Sequence, residues 1–195
     1  MKRIGLISDT HGYWDERFKK YFEECDEIWH AGDIGTYEIA AQLEKIAPLR
    51  AVYGNCDGYD IRRAFPEVNR FRIEDVDVVL KHIGGTPGHY DRSVINQLYY
   101  NTPNLFVCGH SHILKVQYDE GLKMLHINPG AAGLQGWQRV RTIIRFTIDK
   151  TEFKDLEVIE FERKDDFIYA VSMENHFPYV DWKYYEKAVS VESEL

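Results

Sequence analysis

Seven side chains able to donate oxygen or nitrogen to a metal ion fall in five short fragments: Asp9-x-His11, Gly32-Asp33, Gly54-Asn55, His82, and Gly109-His110-Ser111-His112. Each fragment alone is commonplace. Gly-Asp and Gly-Asn are frequent turn pairs that tolerate unusual backbone angles, and an isolated buried histidine is more often structural than a ligand. The pair His110 and His112 is more informative, because extended residues two apart point to the same side and their rings can converge on one object. Two carboxylates, one amide oxygen and four imidazoles exceed what a single tetrahedral zinc accepts. Divided between two five- or six-coordinate ions, with one carboxylate bridging, the count closes. Mixed nitrogen and oxygen donors suit manganese, iron, zinc, nickel or cobalt, whereas calcium or magnesium draws more oxygen.

Such a set needs a scaffold that ends several strands side by side. Residues 3–8 read as a strand that runs into Asp9 and His11, and Trp14, Phe18, Tyr21 and Phe22 then recur at helical spacing. A second strand over 27–30 leads to Gly32-Asp33-Ile34-Gly35. Thr36 is the expected N-cap of a helix striped by Ile39, Leu43 and Ile46. A third strand over 49–53 precedes Gly54-Asn55-Cys56-Asp57. Strand, loop and helix in repetition favour a largely parallel α/β sheet. In open sheets of that kind ligands bind beyond the carboxyl ends of the strands, where all the candidates fall.

After Pro66 the pattern becomes richer in strands. Segments 70–73 and 76–82 read as strands, the second ending at His82. A glycine-rich loop over 84–88 leads to a helix that would bury Val94, Ile95 and Leu98. Strands follow at 105–108, 114–118, 124–128, 140–149 and 153–161. Two β-rich regions, with helices between, predict a sandwich of two sheets with helices outside.

A chain of 195 residues, 44% hydrophobic, 29% charged and 14% aromatic, suits one soluble globular domain. No apolar run approaches the roughly 20 residues of a membrane span. Asp9 and His11 interrupt the opening MKRIGLISDTHG too early for a signal peptide, so a cytoplasmic location is expected. Cys25, Cys56 and Cys108 form no CxxC pair, which argues against a disulfide scaffold or a zinc ribbon. The net charge of −8 argues against a large footprint on long nucleic acid. A small anionic substrate is still admissible, because bound metal reverses the local field. Residues 163–195, rich in charge and in aromatics such as Phe167, Tyr169, Trp182 and Tyr184, form an extension to the domain over 1–162. It is expected to pack on that domain or on a second copy in a homodimer.

Together, D-x-H at Asp9 and His11, G-D at Asp33, G-N-C-D over 54–57, His82 and G-H-S-H over 109–112 resemble the calcineurin-like metallophosphoesterases. The subgroup suggested is the small single-domain phosphodiesterases of the YfcE type, whose NPGS is similar to Asn128-Pro129-Gly130-Ala131 here. The resemblance covers roughly residues 1–161. It implies an α/β fold, a four-layer αββα sandwich of two mixed β-sheets flanked by helices. It also implies two divalent ions, manganese foremost, with nickel, zinc, iron and cobalt as alternatives. By position, Asp9, His11 and His112 would hold one ion, Asn55, His82 and His110 the other, and Asp33 would bridge them. Two ions about 3.5–4 Å apart lower the pKa of a shared water toward about 7. The bridging hydroxide would then attack a small or activated phosphoester, preferentially a diester, without a covalent intermediate. Asp33, Asn55 and His110 would act through that hydroxide and the metal–phosphate contacts.

Two departures bear on specificity. Many relatives carry histidine after the asparagine, where this chain and the suggested subgroup have cysteine. Cys56 either fills space or takes a chemical part, and a thiol is a poor acid for an alkoxide; this favours activated or diester substrates. Asp57 is expected to orient either Cys56 or the metal shell from outside. Where the subgroup reads H-G-H, this chain continues from His82 through 83–90, and His89 either reaches back over the site, as a proton donor or phosphate contact, or lies on the surface, the surface being favoured. His30 and His126 read as supporting or packing residues, and Ser111 as a spacer in its turn. The competing function is an interaction scaffold on the same fold with a metal site that does not turn over. No membrane partner is expected.

Overall fold

Period-two alternation along the strands builds the sandwich. In the computed structural model, which describes residues 1–162, strand β1 (Lys2–Ile7) sends Ile4 and Leu6 into one apolar layer and Ile7 into another. The chain continues through α1 (Arg17–Phe22), β2 (Glu27–His30), α2 (Tyr37–Glu44), β3 (Leu49–Ala51) and α3 (Tyr59–Ala64). β1, β2 and β3 are parallel neighbours. The second half comprises β4 (Val68–Ile73), β5 (Val76–Lys81), β6 (Gly85–Thr86), β7 (His89–Tyr90), α4 (Ile95–Tyr100), β8 (Leu105–Val107), β9 (Leu114–Asp119), β10 (Met124–Pro129), β11 (Val140–Asp149) and β12 (Glu152–Glu162).

Two five-stranded sheets result, ordered β12-β11-β1-β2-β3 and β4-β5-β8-β10-β9. Both are mixed. β11 runs antiparallel to β1 and β12, and the parallel trio β5, β8 and β10 is flanked by antiparallel β4 and β9. Between the sheets lie Leu6, Val78, Leu80, Leu105, Val107, Ile127 and Ile144. Trp29 meets Phe71 and Phe146 edge-on, with ring centroids 5.1 and 5.8 Å away, and so ties the two sheets together. On the outer face of the first sheet, Ile28 and Ile143 pack with Phe18 and Phe22 of α1 and with Ile39 and Leu43 of α2. A Cβ on Gly5 would stand 2.5 Å from the Phe22 ring, so α1 closes on β1 only because that residue is glycine. On the outer face of the second sheet, Val79, Phe106 and Met124 pack with Val94 and Leu98. Helices, sheet, sheet and helix form the four layers expected.

The differences from expectation are local. Trp14 precedes α1 and packs edge-on to Phe18 with centroids 5.6 Å apart. Thr36 occupies the N-cap of α2 with φ −135°, but its side chain makes no cap bond. α2 ends before Ile46, and β3 stops at Ala51. Periodicity gave no sign of α3 or of the β6–β7 ribbon, which at six and two residues per element are too short to show it. In the ribbon's lead-in, a Cβ on Gly84 would lie 2.6 Å from Cys108 and 2.7 Å from Phe106. That glycine is therefore required for packing on β8. Among the described residues no helix is long and apolar enough to cross a membrane. The extension over 163–195 lies outside the described residues.

Candidate metal centre

The carboxyl ends of β1, β2, β5 and β8 meet at one edge of the sandwich. Asp9 and His11 follow β1, Asp33 follows β2, His82 follows β5 at once, and His110 and His112 follow β8. Asp9, His11, Asp33, His110 and His112 all have left-handed backbones, with φ of 53°, 47°, 52°, 68° and 57°. That conformation costs a side-chain-bearing residue roughly 1–2 kcal/mol, although aspartate and histidine are among those that adopt it most. Concentrated strain of this kind persists where the surroundings impose it, and it gathers at functional sites.

Here the surroundings are hydrogen bonds between the loops. Asp9 N–H donates to Gly32 O at 3.0 Å, and His11 N–H donates to Asp33 O at 2.9 Å. The Ser8 hydroxyl and the His110 N–H donate to Asp9 Oδ2 at 2.6 and 3.1 Å. Glycine at 109 permits this closeness, since a Cβ there would lie 2.1 Å from Ser8 Oγ.

Two triads of carboxylate and imidazole emerge, Asp9 with His11 and His112, and Asp33 with His82 and His110, and a third set, His11, Asp33 and Cys56, joins them. One ligand-type atom from each member lies within 4.8 Å of the others. Asp9 Oδ1 stands 3.1 Å from His112 Nε2 and 4.0 Å from His11 Nε2. Asp33 Oδ2 stands 3.1 Å from His82 Nε2 and 3.9 Å from His11 Nε2, so one carboxylate oxygen faces both triads. Asp9 Oδ1 and His82 Nε2 are buried 3.9 Å apart, and their contacts with His112 and Asp33 are at ion-pair distance without good hydrogen-bond geometry. A buried polar atom left unpaired costs about 1–3 kcal/mol. Atoms of this kind, aimed into a pair of carboxylates, fit divalent cations.

Supporting bonds orient the rings. His82 donates from Nδ1 to Ala31 O at 2.8 Å, which leaves Nε2 facing the carboxylates. His112 is held the same way, its Nδ1 lying 3.2 Å from Gln138 Oε1. The loop over 109–112 hangs on Asn128, whose amide donates to Gly109 O at 2.8 Å and Ser111 Oγ at 3.0 Å. Ser111 is thus an anchoring acceptor as well as a spacer. His30 accepts from Gly32 N–H at Nδ1, so its Nε2–H is directed at Thr10 Oγ1, 2.9 Å away. His126 reaches Gly85 O at 3.2 Å and supports the ribbon.

The charge pattern favours cations. Burial opposes a charged His82, but the facing Asp33 and Asp9 outweigh it and hold its pKa above the ordinary value. Burial likewise opposes a charged Asp33, yet His82 and the Cys56 N–H hold its carboxyl well below the usual range. His112 is raised, chiefly by its contact with Asp9. His11 goes the other way, because its burial exceeds the pull of Asp33 and Asp9.

The remaining candidates are placed differently. Asn55 is exposed, and its amide donates to Cys56 Sγ at 3.3 Å. The backbone N–H of Cys56 donates to Asp33 Oδ1 at 2.8 Å, and its sulfur lies near His11 and Asp33. Burial, then Asp33, push the Cys56 thiol above its usual pKa, so it is neutral near pH 7. Asp57 is buried and accepts the N–H groups of Gly35 and Gly54, each at 2.7 Å, clamping the loops after β2 and β3. His89 is exposed on the ribbon. Local sequence pattern assigned no role to Gln138, Asn128 or Arg62, the last of which donates to the carbonyls of Gly54, Asn55 and Asp57. Only Asn128 carried a signal, as part of the Asn-Pro-Gly turn.

A family model, the calcineurin-like phosphoesterase superfamily domain, matches residues 1–151. The chain belongs to that family. A "probable metallophosphoesterase" of Methanothermobacter thermautotrophicus is 34% identical over 138 residues, which cover 66% of this chain and 76% of that protein. Among solved structures, a novel archaeal phosphodiesterase is similar at 23% identity and a TM-score of 0.61, over 80% of this chain and 99% of that one. Wild-type Vps29 of Entamoeba histolytica, in complex with zinc, matches at 16% identity and a TM-score of 0.64, over 83% and 99%. At those identities the likeness to both structures is one of fold. Metal-dependent phosphoester hydrolysis is the chemistry of the calcineurin-like family, and the two triads lie inside the matched region.

Proposed function

We propose that this calcineurin-like phosphoesterase is a phosphodiesterase that uses two divalent ions, manganese first among them, on small or activated phosphoesters. The observation that carries the reading is Asp33 Oδ2, which faces His82 in one triad and His11 of the other. Asp9, His11 and His112 would hold one ion, and His82 and His110, joined by Asn55, the other. When bound, such a pair supplies a nucleophilic water with a pKa near about 7 and polarises phosphoryl oxygens.

The chain's own residues set the rest. Ser8 and the His110 N–H occupy Asp9 Oδ2, which turns Oδ1 inward. The Cys56 N–H fixes Asp33 Oδ1, which leaves Oδ2 for the centre. Cys56, a neutral thiol held above its usual pKa, donates protons weakly. Alcohols that leave without strong acid assistance are therefore the preferred leaving groups. The free cysteines Cys25, Cys56 and Cys108 support a cytosolic setting, where thiols stay reduced.

The test is hydrolysis of bis-p-nitrophenyl phosphate and p-nitrophenyl phosphate by metal-stripped protein, with manganese, nickel, zinc or magnesium restored singly. Metal-dependent cleavage that favours the diester is expected. Metal binding without hydrolysis of either ester would instead support the scaffold.

A further inference from the structure

The loop over 133–139, between β10 and β11, is fastened to the metal centre at His112. Gln138 Oε1 lies 3.2 Å from His112 Nδ1. Gly136, with φ +101°, passes so near that a Cβ would come within 2.2 Å of the same nitrogen. Between these two contacts stands Trp137, 100% exposed. Its Cα is about 3.8 Å from those of its neighbours on either side, so its backbone is held close to His112 while the indole packs on nothing among the described residues. On the other flank of His112, Ile113 is 55% exposed. Two large, exposed apolar side chains are thus carried on backbone that adjoins His112, next to a centre otherwise built of carboxylates and imidazoles. Ligand sites take this form, with a few polar groups fixing one end of the ligand and apolar or aromatic surface receiving the other.

We propose that Trp137 is a stacking platform for a flat aromatic group, a nucleobase or an aryl ring, carried on one alcohol of the phosphoester. The inference rests on the phosphoesterase reading and adds the substrate's organic part to it. The phosphate would lie at the triads, and the ring would lie over the indole. Every base or aryl group has a face to offer, so the platform selects aromaticity and discriminates little among bases.

Calorimetric titration of metal-loaded protein with adenosine 5′-monophosphate and with ribose 5-phosphate isolates the base, which is what distinguishes the two probes. Wild type is expected to bind the nucleotide more tightly by roughly 5- to 150-fold, the range that base–aromatic stacking supplies. Trp137→Ala should bring the two affinities together, and Trp137→Phe should keep most of the difference. Equal affinities in wild type, or a preference that survives Trp137→Ala, would overturn the platform while leaving the phosphoesterase reading intact. Binding of neither phosphate by metal-loaded protein would overturn that reading and the platform with it. Sedimentation of the same samples covers the other use of an exposed indole. A dimer that Trp137→Ala dissociates without changing nucleotide affinity would make Trp137 an interface residue and contradict the proposal.

Discussion

Gln138 Oε1 stands 3.2 Å from His112 Nδ1, while Gln138 Nε2 donates to the carbonyls of Gly133 and Gln135 at 3.2 and 2.5 Å. Turning the amide over would set its donors against the ring and its acceptor against two carbonyls, so its orientation is fixed. His112 must then donate from Nδ1, and its Nε2 is directed toward Asp9. Gln138→Leu is expected to weaken metal binding roughly 10- to 100-fold, the usual cost of losing such a partner. Gln138→Glu keeps the acceptor for His112 but sets a carboxylate oxygen against the carbonyls of Gly133 and Gln135, and should fall between that variant and wild type. Calorimetric metal titration of stripped protein reads both.

Gly109 should admit no side chain. A Cβ there would approach Ser8 Oγ to 2.1 Å and Asp9 Oδ2 to 2.7 Å, whereas one on Gly58 would meet nothing within 4 Å. Gly109→Ala is expected to cost about 1–3 kcal/mol, as overpacking does, and to impair metal binding. Gly58→Ala should be neutral or slightly stabilising. Urea denaturation of the two variants beside wild type makes the comparison.

Burial pushes the His126 imidazole down to about 4 in the folded chain, against about 6.5 unfolded. Between those values the unfolded state holds a proton that the folded state lacks, so stability rises with pH there. The contribution is fully present above about pH 6.5 and is lost as pH falls toward 4, by as much as about 3 kcal/mol. His30, also lowered to about 4, acts in the same direction. In metal-free protein His126→Gln should flatten the loss of stability between about pH 7.5 and pH 5. Denaturation curves with unchanged pH dependence would contradict this.

Cys56 supports the centre chiefly through its backbone, whose N–H donates to Asp33 Oδ1 at 2.8 Å, and its thiol adds a weaker contact with the same carboxylate. Cys56→Ala should therefore keep kcat/KM for bis-p-nitrophenyl phosphate within about threefold, a change of under 1 kcal/mol in transition-state binding. A loss of a hundredfold would give the thiol a direct chemical role.

The layers and the two triads were legible because each rests on a short-range signal. Alternation in β5 and β8 assigns Val78, Leu80, Leu105 and Val107 to the core between the sheets, and the candidate ligands lie at strand ends. The bracing was not legible. Gln138 reaches His112 from 26 residues away, and Asn128 reaches Ser111 from 17. These contacts depend on how the sheets bring distant loops together, which local pattern does not encode. Trp137 was hidden for a related reason, as an exposed aromatic looks like any other until its neighbours are seen against His112.

The most direct test of the two-ion centre is a manganese titration of metal-stripped protein, with bound metal and hydrolysis of bis-p-nitrophenyl phosphate measured in the same samples. Hydrolysis should be absent without metal and reach its plateau at two bound ions per chain, and Asp33→Asn should lower both quantities together. Undiminished turnover by stripped protein, or a plateau at one bound ion that Asp33→Asn does not alter, would contradict the assignment.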